Sequence, residues 1–228
     1  MLKKIFTALV LTGVSFLSLA NEQVISKEES YKQMAKNVVI GYDMKEDRSF
    51  VFSEKNNVNY QVLYFFSYGC PHCYEFKAYF NEWKKLAKED VSVHYIPVSF
   101  QSGWENLSKG FIIANELRLN NFEENIYEYI HKNKYTIANM DDLRSFFQEF
   151  YNVETSVFNA LYNSIETNMK IEEYNKITDD FEIMGTPNIV LITKENKVYL
   201  TSPERAENEL NTIVTLELLI HKDRKGKK

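Results

Sequence analysis

The chain has 228 residues, two cysteines and a formal net charge of −5. Its basic residues form no stripe outside the short tail at 221–228, which excludes a nucleic-acid binder that must replace phosphate counterions. A chain of this length buries a sizeable core without disulfide staples.

Lys3 and Lys4 precede a mostly apolar run, Ile5 to Leu17, and Ser18-Leu19-Ala20 sets small residues before Asn21. That is the pattern of a cleavable secretory signal peptide over 1–20. The run is short for a membrane span, and no cysteine follows it to carry a lipid. Losing a leader with two lysines and no acid takes the charge from −5 to −7. Export also bears on the cysteines, because oxidising compartments are where disulfides persist.

Residues 21–44 are polar with scattered apolar positions and read as a loose arm. Ser49-Phe50-Val51-Phe52 suits an edge strand, and Asn56-Asn57 a turn. Tyr60 to Tyr68 is aromatic and β-branched, as in a buried central strand. Next comes Cys70-Pro71-His72-Cys73, which holds both cysteines. Pro71 suits a first helical turn, and Phe76, Phe80, Trp83 and Leu86 recur at helical spacing to face the sheet. The first sulfur therefore stands where a strand ends and a helix begins. Helix dipole and free N–H groups favour its thiolate there.

This spacing predicts a redox dithiol. A zinc site needs about four ligands, and His72, His94, His131 and His221 supply no second close pair. Haem attachment needs histidine directly after the second cysteine, where Tyr74 stands. No metal and no cofactor are expected beyond a redox-active Cys70–Cys73 disulfide.

Val91 to Pro97 alternates as a strand. From Trp104 to about Glu173 there is no proline and only Gly110 among the glycines. Helical stripes recur: Phe111, Ala114 and Leu117; Leu143, Phe146, Phe147 and Phe150 after a cap at Asn139 with Asp141 and Asp142 in the first turn; Val157, Leu161 and Ile165 after a cap at Thr155 or Ser156. Beyond Asp180, Gly185-Thr186-Pro187 precedes a strand at Asn188–Ile192. Glu195-Asn196 turns into a partner strand, Lys197–Leu200. Glu207 to His221 is a final helix with Leu210, Ile213, Leu216 and Ile220 on one face, and the basic tail after it should fray in solvent. One α/β domain, 21–100 and 174–228, is thus interrupted by a helical block, 101–173.

Phe65-Phe66-Ser67 ahead of Cys70-Pro71-His72-Cys73, Tyr74 and Phe76 behind it, the helical block and the late Thr186-Pro187 together resemble the DsbA family of periplasmic thiol:disulfide oxidoreductases. The resemblance covers essentially the whole chain after the leader. It implies an α/β thioredoxin fold with an inserted all-helical domain. It makes Cys70 the exposed attacking cysteine and Cys73 the buried resolving one. Pro71 and His72 become the tuning dipeptide, and Thr186-Pro187 a cis-proline loop in which Thr186 pairs by backbone with bound peptide. It also implies a lowered Cys70 pKa, exported folding proteins with free thiols as substrates, and a DsbB-like quinone-linked membrane oxidase as partner.

One position departs from the family, whose buried glutamate six residues before the first cysteine is replaced by Tyr64. Either another group, with Glu75 as candidate, does that work, or the second thiol is less activated. A disulfide isomerase or reductase on the same fold is an alternative, although Asn21 to Ser49 is too short for the dimerisation domain that exported isomerases generally carry, which favours a monomer. A peptide-binding chaperone with incidental cysteines is another.

Overall fold

In this computed structural model the described residues are 40–42 and 58–226. The expected leader and the Ser49–Phe52 strand lie outside them. Ile40–Tyr42 (β1), inside the segment read as a loose arm, is instead a short edge strand. Tyr60–Phe66 (β2), Val91–Pro97 (β3), Asn188–Thr193 (β4) and Val198–Thr201 (β5) complete a sheet of order β1-β5-β4-β2-β3. β2 runs parallel to β3 and antiparallel to β4, and β5 runs antiparallel to both β4 and β1. The turn into β5 is closed by Thr193 N–H on the Lys197 carbonyl at 2.9 Å, with Asn196 left-handed at φ 59°.

The helices are Pro71–Leu86 (α1), Trp104–Glu116 (α2), Phe122–Tyr127 (α3), continued by a π turn at Glu128–Lys132, then Met140–Tyr151 (α4), Thr155–Tyr162 (α5), Ile165–Asp180 (α6) and Glu209–Gly226 (α7). Among the described residues no helix is long and apolar enough to cross a membrane.

β2 explains the layering, because side chains alternate across a strand. Tyr60, Val62, Tyr64 and Phe66 join one core, with Phe76, Phe80 and Trp83 of α1 and Leu216 and Ile220 of α7. Leu63 and Phe65 join a second, with Ile96, Val190, Ile192, Ile177 and Phe181. A strand buried on both faces reads as a nearly continuous apolar run. The architecture is a thioredoxin fold with helices inserted between β3 and β4. Residue 173, the expected far edge of the insertion, falls inside α6. The later residues of that helix, Tyr174 and Ile177, pack in the second core.

The helical core is continuous with the first core of the sheet: Phe122, Ile126, Tyr127, Leu143, Phe146, Phe147 and Phe158 belong to the same cluster. Asn139 caps α4 reciprocally. Its Oδ1 accepts from the Asp141 and Asp142 N–H groups at 2.9 and 3.0 Å, and Asp142 Oδ2 accepts from the Asn139 N–H at 3.2 Å.

Several expected core positions lie outside. Leu86, the last residue of α1, is 82% exposed. Phe150, Val157, Ile165 and Leu210 are also exposed. Phe158 rather than Val157 anchors α5, whose N-cap is Glu154, and Ser164 caps α6. The basic tail remains helical to Gly226, and Arg224 binds Asp90 at 2.5 Å.

Candidate functional site

β2 stops at Phe66, and the chain turns through Ser67–Cys70. The Cys70 N–H donates to the Ser67 carbonyl at 3.1 Å, and the Gly69 N–H to Ser67 Oγ at 3.2 Å. Cys70 is the N-cap of α1 with extended backbone (φ −87°, ψ 118°), and Pro71 takes the first helical position. The thiol therefore occupies the place where a capping oxygen would meet free N–H groups.

Both cysteines are free thiols. Cys70, expected as the exposed member, retains 5% exposure, and Cys73 is fully buried. Their acidities diverge. A hydrogen bond from the Cys73 thiol is the main influence lowering the Cys70 pKa to about 6; burial opposes it, while Thr186 and the backbone N–H groups of Cys73 and His72 assist. Burial pushes the Cys73 thiol well up, and the bond to Cys70 and its charge push the same way.

The Thr186–Pro187 peptide, just before β4, is cis. As a thiol, Cys70 Sγ donates to the Thr186 carbonyl at 3.4 Å. Once ionised it can only accept, and hydrogen bonding from the Thr186 side chain favours that form. Pro71 is exposed. His72 faces solvent with its Nδ1 3.5 Å from Glu75 Oε2, and their side chains are 73% and 62% exposed. Glu75 is thus turned away from the buried thiol and does not take the place of the family's buried acid. Tyr64 is fully buried among Phe66, Phe76, Phe80 and Tyr95. Burial first, then the proximity of Cys73, raises its pKa far above the ordinary value, so it stays neutral.

The structure adds neighbours that the sequence did not single out for this site. Trp104, at the start of α2, lies against Gly69. His131, in the π turn, donates from Nε2 to the Tyr68 carbonyl at 2.8 Å. Tyr68 stands edge-on to Phe66, Tyr127 and Phe122, with ring centroids 5.1, 5.0 and 5.7 Å away, and so joins the sheet to the insertion. More than thirty residues separate Trp104 and His131 from the dithiol, and neither carries a local pattern pointing to it. Among the described residues no group of three or more His, Cys, Asp or Glu could hold a metal ion.

Two sulfurs of opposed acidity at a strand-to-helix junction of a thioredoxin fold define a thiol:disulfide oxidoreductase. No protein-family model matches the chain, but individual proteins do. The thiol:disulfide interchange protein DsbA of Burkholderia cepacia is 28% identical over 161 residues, 70% of this chain and 74% of that protein. DsbA of Azotobacter vinelandii is 26% identical over 165 residues, covering 72% and 75%. The crystal structure of Pseudomonas aeruginosa DsbA has the same fold, with a TM-score of 0.71 at 23% identity over 85% of this chain and 96% of that one. Over about 70% of its length the chain is thus similar to proteins named thiol:disulfide interchange protein DsbA, and it shares the fold of a solved DsbA.

Proposed function

We propose that the protein donates the Cys70–Cys73 disulfide to exported proteins as they fold, in the periplasm, after removal of a signal peptide over 1–20. The opposed acidity of the two thiols carries this reading. A substrate thiolate attacks Cys70 Sγ. The Cys70–Cys73 bond breaks, and Cys73 leaves, taking up a proton because its buried thiolate is costly. A second substrate thiolate then attacks its own sulfur in the mixed disulfide, and Cys70 departs as a stabilised thiolate. Two electrons pass from the substrate dithiol to the enzyme.

Pro71 and His72 tune the Cys70 thiolate, and Thr186-Pro187 holds the substrate strand beside it. Cys73 resolves mixed disulfides in the reverse direction. Reoxidation falls to a DsbB-like quinone-linked membrane oxidase, and the protein acts as a monomer without a further cofactor. Residues 101–173 act as an insertion into the catalytic domain of 21–100 and 174–228.

Cys73→Ala tests the mechanism. It should accumulate mixed disulfides between Cys70 and exported clients, reversible by reductant. If no such adducts form while Cys70 still reacts with small disulfides, the donor reading fails and the chaperone reading replaces it.

A further inference from the structure

Cys70 is delivered to its helix by a turn whose conformation the residues of the turn leave open. The Ser67–Cys70 hydrogen bond makes the Tyr68–Gly69 peptide the middle unit of the turn. Such a unit has two orientations, types I and II. The second needs a positive φ at the third residue and so favours glycine. Residue 69 is glycine because a Cβ there would stand 2.4 Å from Trp104 Nε1. Close packing of α2 therefore imposes the one residue type that lets the turn flip. In the structure Gly69 is outside the left-handed region, and the carbonyl that would swing is bound by His131.

We propose that His131 is a positioning residue for the redox site, its Nε2–H locking the Tyr68 carbonyl and hence the turn that presents Cys70. The ring is held in place for this. It stacks on Tyr74 at 5.1 Å and 17° and lies 5.8 Å from the Tyr127 ring. It sits in the π turn that extends α3, where an added residue re-aims the side chains that follow. Burial first, with Lys134, pushes the His131 pKa down, against the Tyr68 bond and Glu75. A neutral ring has one N–H, and the bond assigns it to Nε2, leaving Nδ1 bare. A flipped peptide would carry away the Gly69 N–H that now reaches Ser67 Oγ at 3.2 Å. It would also spread the position of the Cys70 sulfur relative to the helix N–H groups that stabilise its thiolate.

The inference rests on the reading of Cys70–Cys73 as an exchanging dithiol. His131→Phe keeps a ring against Tyr74 and removes the donor, while His131→Gln offers an amide N–H near the same place. Ultraviolet titration of the Cys70 thiolate and equilibration with glutathione buffers are the readouts. His131→Phe should raise the Cys70 pKa and lower the oxidising equilibrium constant about fivefold, the scale of one lost hydrogen bond; His131→Gln should stay within about twofold of the unmodified protein. A His131→Phe variant that matches the unmodified protein, or a His131→Gln variant displaced as far as His131→Phe, overturns the proposal. In the unmodified protein, nitrogen-15 shifts should show His131 protonated on Nε2, and protonation on Nδ1 overturns it without any variant. An unmodified protein that does not equilibrate with glutathione at all contradicts the dithiol reading instead.

Discussion

The β2–α1 junction and the insertion from α2 to α5 meet at the same three residues, Ser67 to Gly69, and contribute differently. The junction supplies the chemistry within a few residues: a strand end, a thiol at the N-cap, a proline at the first helical position and a second thiol one turn later. The insertion supplies no reacting atom. It supplies Trp104 against Gly69, His131 on the Tyr68 carbonyl, and Phe122 and Tyr127 around the Tyr68 ring. Reactivity here is local and its placement is long-range.

The strongest break of this comparison is at the junction. Cys70→Ser should abolish disulfide transfer to a reduced peptide while the far-ultraviolet spectrum is unchanged. Residual turnover would place the chemistry elsewhere.

Next in size is the pH profile. With its pKa at about 6, Cys70 should be roughly thirtyfold more ionised at pH 7 than an ordinary thiol of pKa about 8.5. Alkylation of the reduced protein should rise through pH 6, with one fast thiol per molecule because Cys73 is shifted up. The same opposition shapes stability. Cys70, depressed in the fold, stabilises the reduced protein fully above about pH 8.5, and this is lost as pH falls through about 6. Cys73, raised in the fold, acts in reverse, so stability declines again as pH rises beyond about 8.5. His131 and His94, both shifted down in the fold, act alike in the two redox forms, so the thiol contribution should appear as the difference between urea unfolding of reduced and of oxidised protein across this range.

Changes in the insertion should act on stability before chemistry. Phe146→Ala empties a fully buried site and should cost about 3–5 kcal/mol by denaturant unfolding. Gly69→Ala brings a Cβ against Trp104. It should cost about 1–3 kcal/mol and, unlike Phe146→Ala, should also disturb the Cys70 titration. Asn139→Ala removes the α4 cap and should cost about 1 kcal/mol with the Cys70 titration unmoved. Equal redox effects from Gly69→Ala and Asn139→Ala would erase the distinction between placement and mere stability.

The same division governs what was legible in the sequence. β2, α1, β3, β4 and β5 have periods, caps and turns that local rules read, and the dithiol stood out because the chain has no other cysteine. The Asn139 cap was readable for the same reason. Exposure of Leu86, Phe150, Val157 and Ile165 was not, because helical spacing says which residues share a face but not where the neighbouring element ends. β1 escaped because its pairing with β5 joins residues about 160 positions apart. His131 was visible as one of four histidines, and only the fold sets it against Tyr68. Glu75, a sequence candidate for the acid that Tyr64 displaces, turns outward toward His72 because its place on α1 is on the solvent face.

The most direct test of disulfide donation is the equilibrium of the purified protein with defined glutathione redox buffers, following the Cys70–Cys73 state. A thiolate stabilised at Cys70 stabilises the reduced form, at ~30 mV per tenfold change in equilibrium constant. The account predicts a disulfide far more oxidising than that of thioredoxin, despite Tyr64. A thioredoxin-like reducing potential would contradict it and leave a reductase or isomerase.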